Sequence, residues 1–152
     1  MALPNVFTEE ATTAIIERLN KLETVTTPLW GKMNVAQMLA HCNVTYEMVY
    51  DDIHKKPNIF VGYILKALIK KKVVNEKPYP QNGSTAPQFI VNTVKDFDEE
   101  KTRLITYIKK TQQYGEDYFN NKASHSFGVL TSTEWNNMFY KHLNHHFTQF
   151  GV

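Results

Sequence analysis

The sequence predicts an all-α fold, built as a four-helix bundle. Three observations carry that prediction. Apolar residues recur at spacings of three and four through long stretches, which gathers them on one face of a helix. Sharp start signals open those stretches. The one β-prone run, Phe89-Ile90-Val91, is too short and isolated to build a sheet.

The first helix is expected from Thr8 to about Leu22. Ala11, Ile15, Leu19 and Leu22 keep the 3–4 rhythm, and Thr8 can cap the start with Glu9 and Glu10 in the first turn. A turn follows at Thr26-Thr27-Pro28-Leu29-Trp30-Gly31. The second helix has Asn34 as N-cap, Gln37 completing a capping box, and Met33 with Met38 at the hydrophobic-staple positions. Its stripe runs Val35, Met38, Leu39, Cys42, Tyr46, Val49 and Ile53, and it should end near Pro57. A third helix is expected from Asn58 to about Val73, with Phe60, Ile64, Leu65, Leu68 and Ile69 inward.

Residues 75–92 carry three prolines and the Asn82-Gly83 turn signal, so they read as a long connection. Such a connection allows a crossover instead of simple up-down order. Asp96 with Glu99 opens a fourth helix, ending near Tyr114-Gly115. Thr131 with Glu134 forms a second capping box and Leu130 with Trp135 a second staple; the last helix then runs to about Phe150.

The chain has 152 residues, 42% of them hydrophobic, which suits one domain over residues 1–152. Seventeen basic residues against 15 acidic leave a formal charge of +2. That balance gives no strong case for nucleic acid or a membrane as partner and favours a small-molecule substrate, with a homodimer open. The longest apolar run, residues 59–65, is far short of a membrane span. The first five residues lack a basic head and an apolar core, so a cytoplasmic protein is expected. A single cysteine, Cys42, rules out an intrachain disulfide and a cysteine-based zinc finger.

Six histidines are distributed unevenly, and three fall within residues 142–146. The inward stripe of the last helix reads Trp135, Met138, Phe139, His142, His146 and Phe150, with histidine where Leu or Ile would be ordinary. Positions i and i+4 rise about 6 Å along one face, which lets two imidazoles converge on one ion. Two buried imidazoles without partners would cost several kcal/mol, on the order of the known desolvation penalties. His41, beside the stripe of the second helix, is the best third ligand. Three neutral imidazoles plus water make an open site, which suits a catalytic metal. Zinc fits best; nickel, iron, manganese and cobalt stay open.

His145 flanks the same face and is a candidate partner or acid/base, and His125 a candidate for the pocket mouth. Glu47 and Tyr46 follow His41 by one to two turns and are candidates to line the pocket. Cys42 should point about 100° away from His41, into the core. His54, among Asp52, Lys55 and Lys56, reads as a solvated helix end. Lys66, Lys70, Lys71, Lys72 and Lys77 with Tyr63 and Tyr79 suggest a face that contacts nucleic acid or an anionic substrate, or simply a soluble one.

The segment from Trp30 through Leu39-Ala40-His41-Cys42 resembles the opening helix motif of the DinB-like superfamily, in which a tryptophan precedes a helix ending in Leu-x-His. The segment His125-Ser126-Phe127-Gly128 through Glu134-Trp135 to His142-Leu143-Asn144-His145-His146 is similar to the C-terminal signature of an uncharacterised branch of it. The resemblance covers nearly the whole chain. It implies a four-helix bundle with a divalent metal on His41, His142 and His146. Known relatives include thiol-dependent S-transferases and an isomerase, so it also implies a low-molecular-weight thiol cosubstrate. Metal-dependent hydrolysis and a non-catalytic binding or scaffold role are the alternatives. The superfamily often carries Arg-Gly-Gln after its last ligand, where this chain has Phe147-Thr148-Gln149, and this branch often has proline where Ser126 stands.

Overall fold

The computed structural model describes residues 2–51 and 53–152. Met1 and Asp52, read above as part of the N-terminus and of the His54 surroundings, lie outside the described residues. The fold is all-α apart from one short hairpin. Its long helices are α1 (Glu9–Asn20), α2 (Val35–Tyr50), α5 (Phe97–Phe119) and α6 (Ser132–Gln149). A shorter segment between α2 and α5 comprises α3 (Ile59–Ile64), a π-helical turn (Leu65–Ile69) and α4 (Lys70–Val74).

The helix starts follow their capping residues. Thr8 accepts from the Ala11 amide and Asp96 from the Glu99 amide. Asn34 with Gln37 and Thr131 with Glu134 form complete capping boxes, each satisfying two amides left over at a helix start. These two boxes set the register of α2 and α6, the helices that carry the candidate ligands.

Helices α1, α2, α5 and α6 pack against one another. Their shared core holds Leu19, Met38, Leu39, Leu104, Phe119, Trp135, Phe139 and Phe147. Tyr46 lies inside it, stacked on Phe139 at 5.0 Å and on Tyr107 at 5.7 Å between centroids. Cys42 is fully buried, and its thiol meets the Met38 sulfur at 3.7 Å.

Four expectations need correcting. Helix α2 stops at Tyr50, not near Pro57, because Asp51 turns extended and its carboxylate takes the Tyr107 hydroxyl. Ile53 therefore leaves the stripe and is exposed. Four of the five residues expected inward on the third segment are exposed, Phe60 at 77%, Ile64 at 56%, Leu68 at 64% and Ile69 at 38%, and Leu65 alone is half-buried. The polar contacts of this segment explain its orientation. Lys70 pairs with Glu134 at 2.8 Å. The buried Lys141 ammonium donates to the Lys72 carbonyl and the Asn75 amide oxygen, both at 2.8 Å, and Asn137 donates to the Val74 carbonyl. Together they bind the open carbonyl end of α4 to α6.

Helix α5 continues past Gly115 to Phe119. Gly115 lies at φ 71°, ψ 177°, a conformation open to glycine alone, and the kink carries Phe119 into the core beside Phe7. Finally, a two-residue antiparallel pair joins Lys122–Ala123 to Val129–Leu130 (β1 and β2). Ser124 closes its turn by donating from both amide and hydroxyl to the Gly128 carbonyl. No helix among the described residues is long and apolar enough to cross a membrane.

Candidate metal centre

His41 on α2 and His142 and His146 on α6 come together. One ring nitrogen from each lies within 4.8 Å of the other two. The ring centroids are 4.9 Å apart for His41 and His142, 4.5 Å for His41 and His146, and 5.0 Å for His142 and His146. His41 and His146 are buried; His142 keeps partial access to solvent.

Each imidazole is held by its Nδ1. His41 Nδ1 donates to the Phe89 carbonyl at 2.8 Å. His146 Nδ1 meets the Gln149 amide oxygen at 2.7 Å, and His142 Nδ1 the Thr45 hydroxyl at 2.9 Å. The Gln149 amide nitrogen donates to the Trp30 carbonyl at 2.7 Å, which fixes its oxygen toward His146 and makes His146 Nδ1 the donor. The Nε2 atoms of His41 and His146 are thereby left as lone pairs facing inward. Fixing the outer nitrogen in this way selects the tautomer and orients the ring for a ligand role.

Gly31 makes the Gln149 contact possible. Its φ is +86°, and a Cβ there would sit 2.6 Å from the Gln149 amide nitrogen. Leu29 adds a backbone bond to the Gln149 carbonyl at 2.7 Å, so the turn before α2 is docked on the end of α6.

Burial keeps these histidines neutral. Desolvation lowers the His146 pKa to about 3, with the neighbouring His41 acting in the same direction. His142 is pushed well below its ordinary value, first by desolvation and then by the other histidines. His41 is lowered by desolvation, opposed by its bond to Phe89. Neutral imidazoles are the form that binds a metal. His41 and His142 Nε2 lie 2.9 Å apart. Two nitrogens on one ion at about 2.0–2.1 Å are separated by about 2.9 Å at a right angle and about 3.3 Å at the tetrahedral angle. The His41–His142 spacing therefore matches two ligands of one divalent cation such as zinc, nickel or iron, and a ring nitrogen of His146 lies within 4.8 Å of both.

The surroundings are aromatic. Phe89, in a 3₁₀ turn (Pro87–Phe89) of the long connection, sets its ring 5.3 Å from His41 and 5.8 Å from His142. His145 is half-buried, with Trp30 at 5.9 Å, Tyr79 at 5.8 Å and His146 at 5.0 Å between centroids. Desolvation lowers its pKa as well.

The other sequence candidates lie elsewhere. Tyr46 belongs to the core stack. Glu47 pairs with Arg103, which also binds Glu100 at 2.8 Å, and with His54 at 2.7 Å. His125 meets the Ser126 hydroxyl at 2.8 Å and the His54 carbonyl at 3.2 Å. His54 and His125 line a separate pocket of about 260 Å³ beyond the end of α2. His41 sits nine residues before that end, a rise of about 14 Å.

Sequence reasoning missed Thr45, Gln149, Trp30 and Phe89. Thr45 and Gln149 stand four and three residues after His41 and His146, so helical spacing could have found them. The carbonyls of Trp30 and Phe89 lie in irregular segments and left no local signal. A family model described as a protein of unknown function (DUF1569) matches residues 5–151. No curated protein and no solved structure matches the chain.

Proposed function

The chain belongs to the DUF1569 family, and from that premise we propose that it is a divalent-metal-dependent enzyme of the DinB-like four-helix type, acting with a low-molecular-weight thiol. The observation that carries this reading is the convergence of His41, His142 and His146 with every outer nitrogen engaged. The likeness of segments 30–42 and 125–146 to the DinB-like motifs supports it. His41, His142 and His146 would hold the ion. When bound, a divalent cation with an open position lowers the pKa of a thiol or water and supplies a nucleophile near neutral pH.

The chain supplies the rest. Phe89 covers one side of the histidine rings and limits water there. His142 lies on the accessible side, where a substrate arrives. His145, half-buried with its ring 5.0 Å from that of His146, is the candidate to take the proton of an arriving thiol or water. Hydrolysis by activated water uses the same residues.

A second reading is a non-catalytic helical protein. One observation favours it: His142 Nε2–H can donate to His41 Nε2 while Thr45 donates to His142 Nδ1, which satisfies both rings without an ion. In that arrangement His146 is held by its Nδ1 bond to Gln149 alone.

Cobalt(II) titration of metal-free protein separates the readings. The proposal predicts visible absorption that saturates near one equivalent and is absent in His41→Ala, followed by a new near-ultraviolet thiolate band on adding a small thiol. Binding unaffected by His41→Ala contradicts the centre. An unchanged spectrum with thiol contradicts the thiol chemistry and leaves hydrolysis.

A further inference from the structure

The segment 59–74 is an amphipathic helix mounted the wrong way round for a globular core. Phe60, Ile64 and Leu68, spaced by four, face solvent, flanked by the exposed Val61 and Tyr63. Its packed side is instead made by Gly62, Leu65, Lys70, Val73 and Val74. The π-helical turn at Leu65–Ile69 lies between the two halves. Such an apolar face on an isolated domain marks an interaction surface.

Its charge says what it meets. Residues 53–75 contain Lys55, Lys56, Lys66, Lys70, Lys71 and Lys72 and no acidic residue. Lys55, Lys56, Lys71 and Lys72 are exposed. A second copy is a poor occupant. Antiparallel two-fold pairing centred on Ile64 sets Lys71 and Lys72 of one copy over Lys55 and Lys56 of the other, and parallel pairing sets Lys71 on Lys71. Like charges then oppose either arrangement.

We propose that helix 59–74 is a membrane-surface anchor, inserting Phe60, Ile64 and Leu68 into the headgroup boundary of an anionic lipid leaflet while the flanking lysines contact the headgroups. Apolar side chains beside lysines are what such interfacial binding requires. The whole-chain charge of +2 argues against membrane affinity only as an average. The fold concentrates the lysines beside the exposed stripe of Phe60, Ile64 and Leu68. The surface is separate from the histidine centre, so it stands or falls independently of the metal chemistry.

Co-sedimentation with vesicles tests it. The full chain should bind phosphatidylcholine vesicles containing about 30 mol% phosphatidylglycerol, ignore pure phosphatidylcholine, and be released near 1 M salt. Phe60→Ser/Ile64→Ser and, separately, Lys71→Gln/Lys72→Gln should each cut partitioning at least about tenfold. All four side chains are exposed, so helix content by circular dichroism and metal binding should be unchanged. No binding to the anionic vesicles overturns the proposal, as does full binding by both variants. A solution dimer lost in Phe60→Ser/Ile64→Ser assigns the face to a second copy instead. Salt-dependent binding to duplex DNA with indifference to vesicles assigns the lysines to nucleic acid.

Discussion

Gln149 links the turn before α2 to the three-histidine cluster. Its oxygen fixes His146 and its nitrogen grips Trp30, over a glycine that leaves room for it. Gln149→Ala should weaken metal binding by about 10–100-fold, the usual effect of removing the partner of a ligating histidine. Competition with a chromophoric chelator measures this, and an unchanged affinity speaks against the orienting role. Gly31→Ala should act in the same direction through the displaced amide. The buried histidines also make the metal-free protein acid-sensitive. His146 has a folded pKa of about 3 against an ordinary 6.5, so below pH 6.5 the unfolded chain binds the extra proton. Stability is therefore complete above about pH 6.5 and falls as the pH drops toward 3, by about 1.4 kcal/mol per pH unit for this group. Urea midpoints of metal-free protein across that range check the sign. A flat profile contradicts the burial of neutral imidazole. His142 and His146 were legible because four-residue spacing places histidine where an apolar side chain belongs. His41 needed the packing of α2 on α6, which spacing alone does not fix.

Helix starts were legible wherever a side chain caps them: Thr8, Asn34, Asp96 and Thr131 all stand where their types and spacings placed them. Helix ends and faces were less so. The 3–4 rhythm of Phe60, Ile64 and Leu68 marks an apolar face but not its direction, and contacts made by Lys70, Asn137 and Lys141 decided that. Gly115 looked like a terminator because glycine commonly ends helices. Here it makes a kink, and Phe119 anchors the continuation. Gly115→Ala should cost about 1–3 kcal/mol, since its φ and ψ exclude a Cβ. Thermal unfolding reads that loss, and an unshifted midpoint contradicts the strained geometry.

Across the whole molecule, one apolar core seats α2 against α6 and holds three histidines at a partly open point, covered by the connection that follows α4. The all-α class followed from periodicity. That the connection reaches back over the centre, with the Phe89 carbonyl on His41, depends on tertiary packing and had no sequence signature. The Glu47, Arg103 and His54 ion pairs and the His125 turn gather around the last turn of α2, apart from the three histidines. The central claim is that the three histidines hold a metal. Elemental analysis of tag-free protein, wild type beside His142→Ala/His146→Ala, tests it most directly. The account predicts about one divalent ion per chain in the wild type and almost none in the double variant. Equal metal content in the two, or none in either after incubation with zinc and nickel, contradicts it.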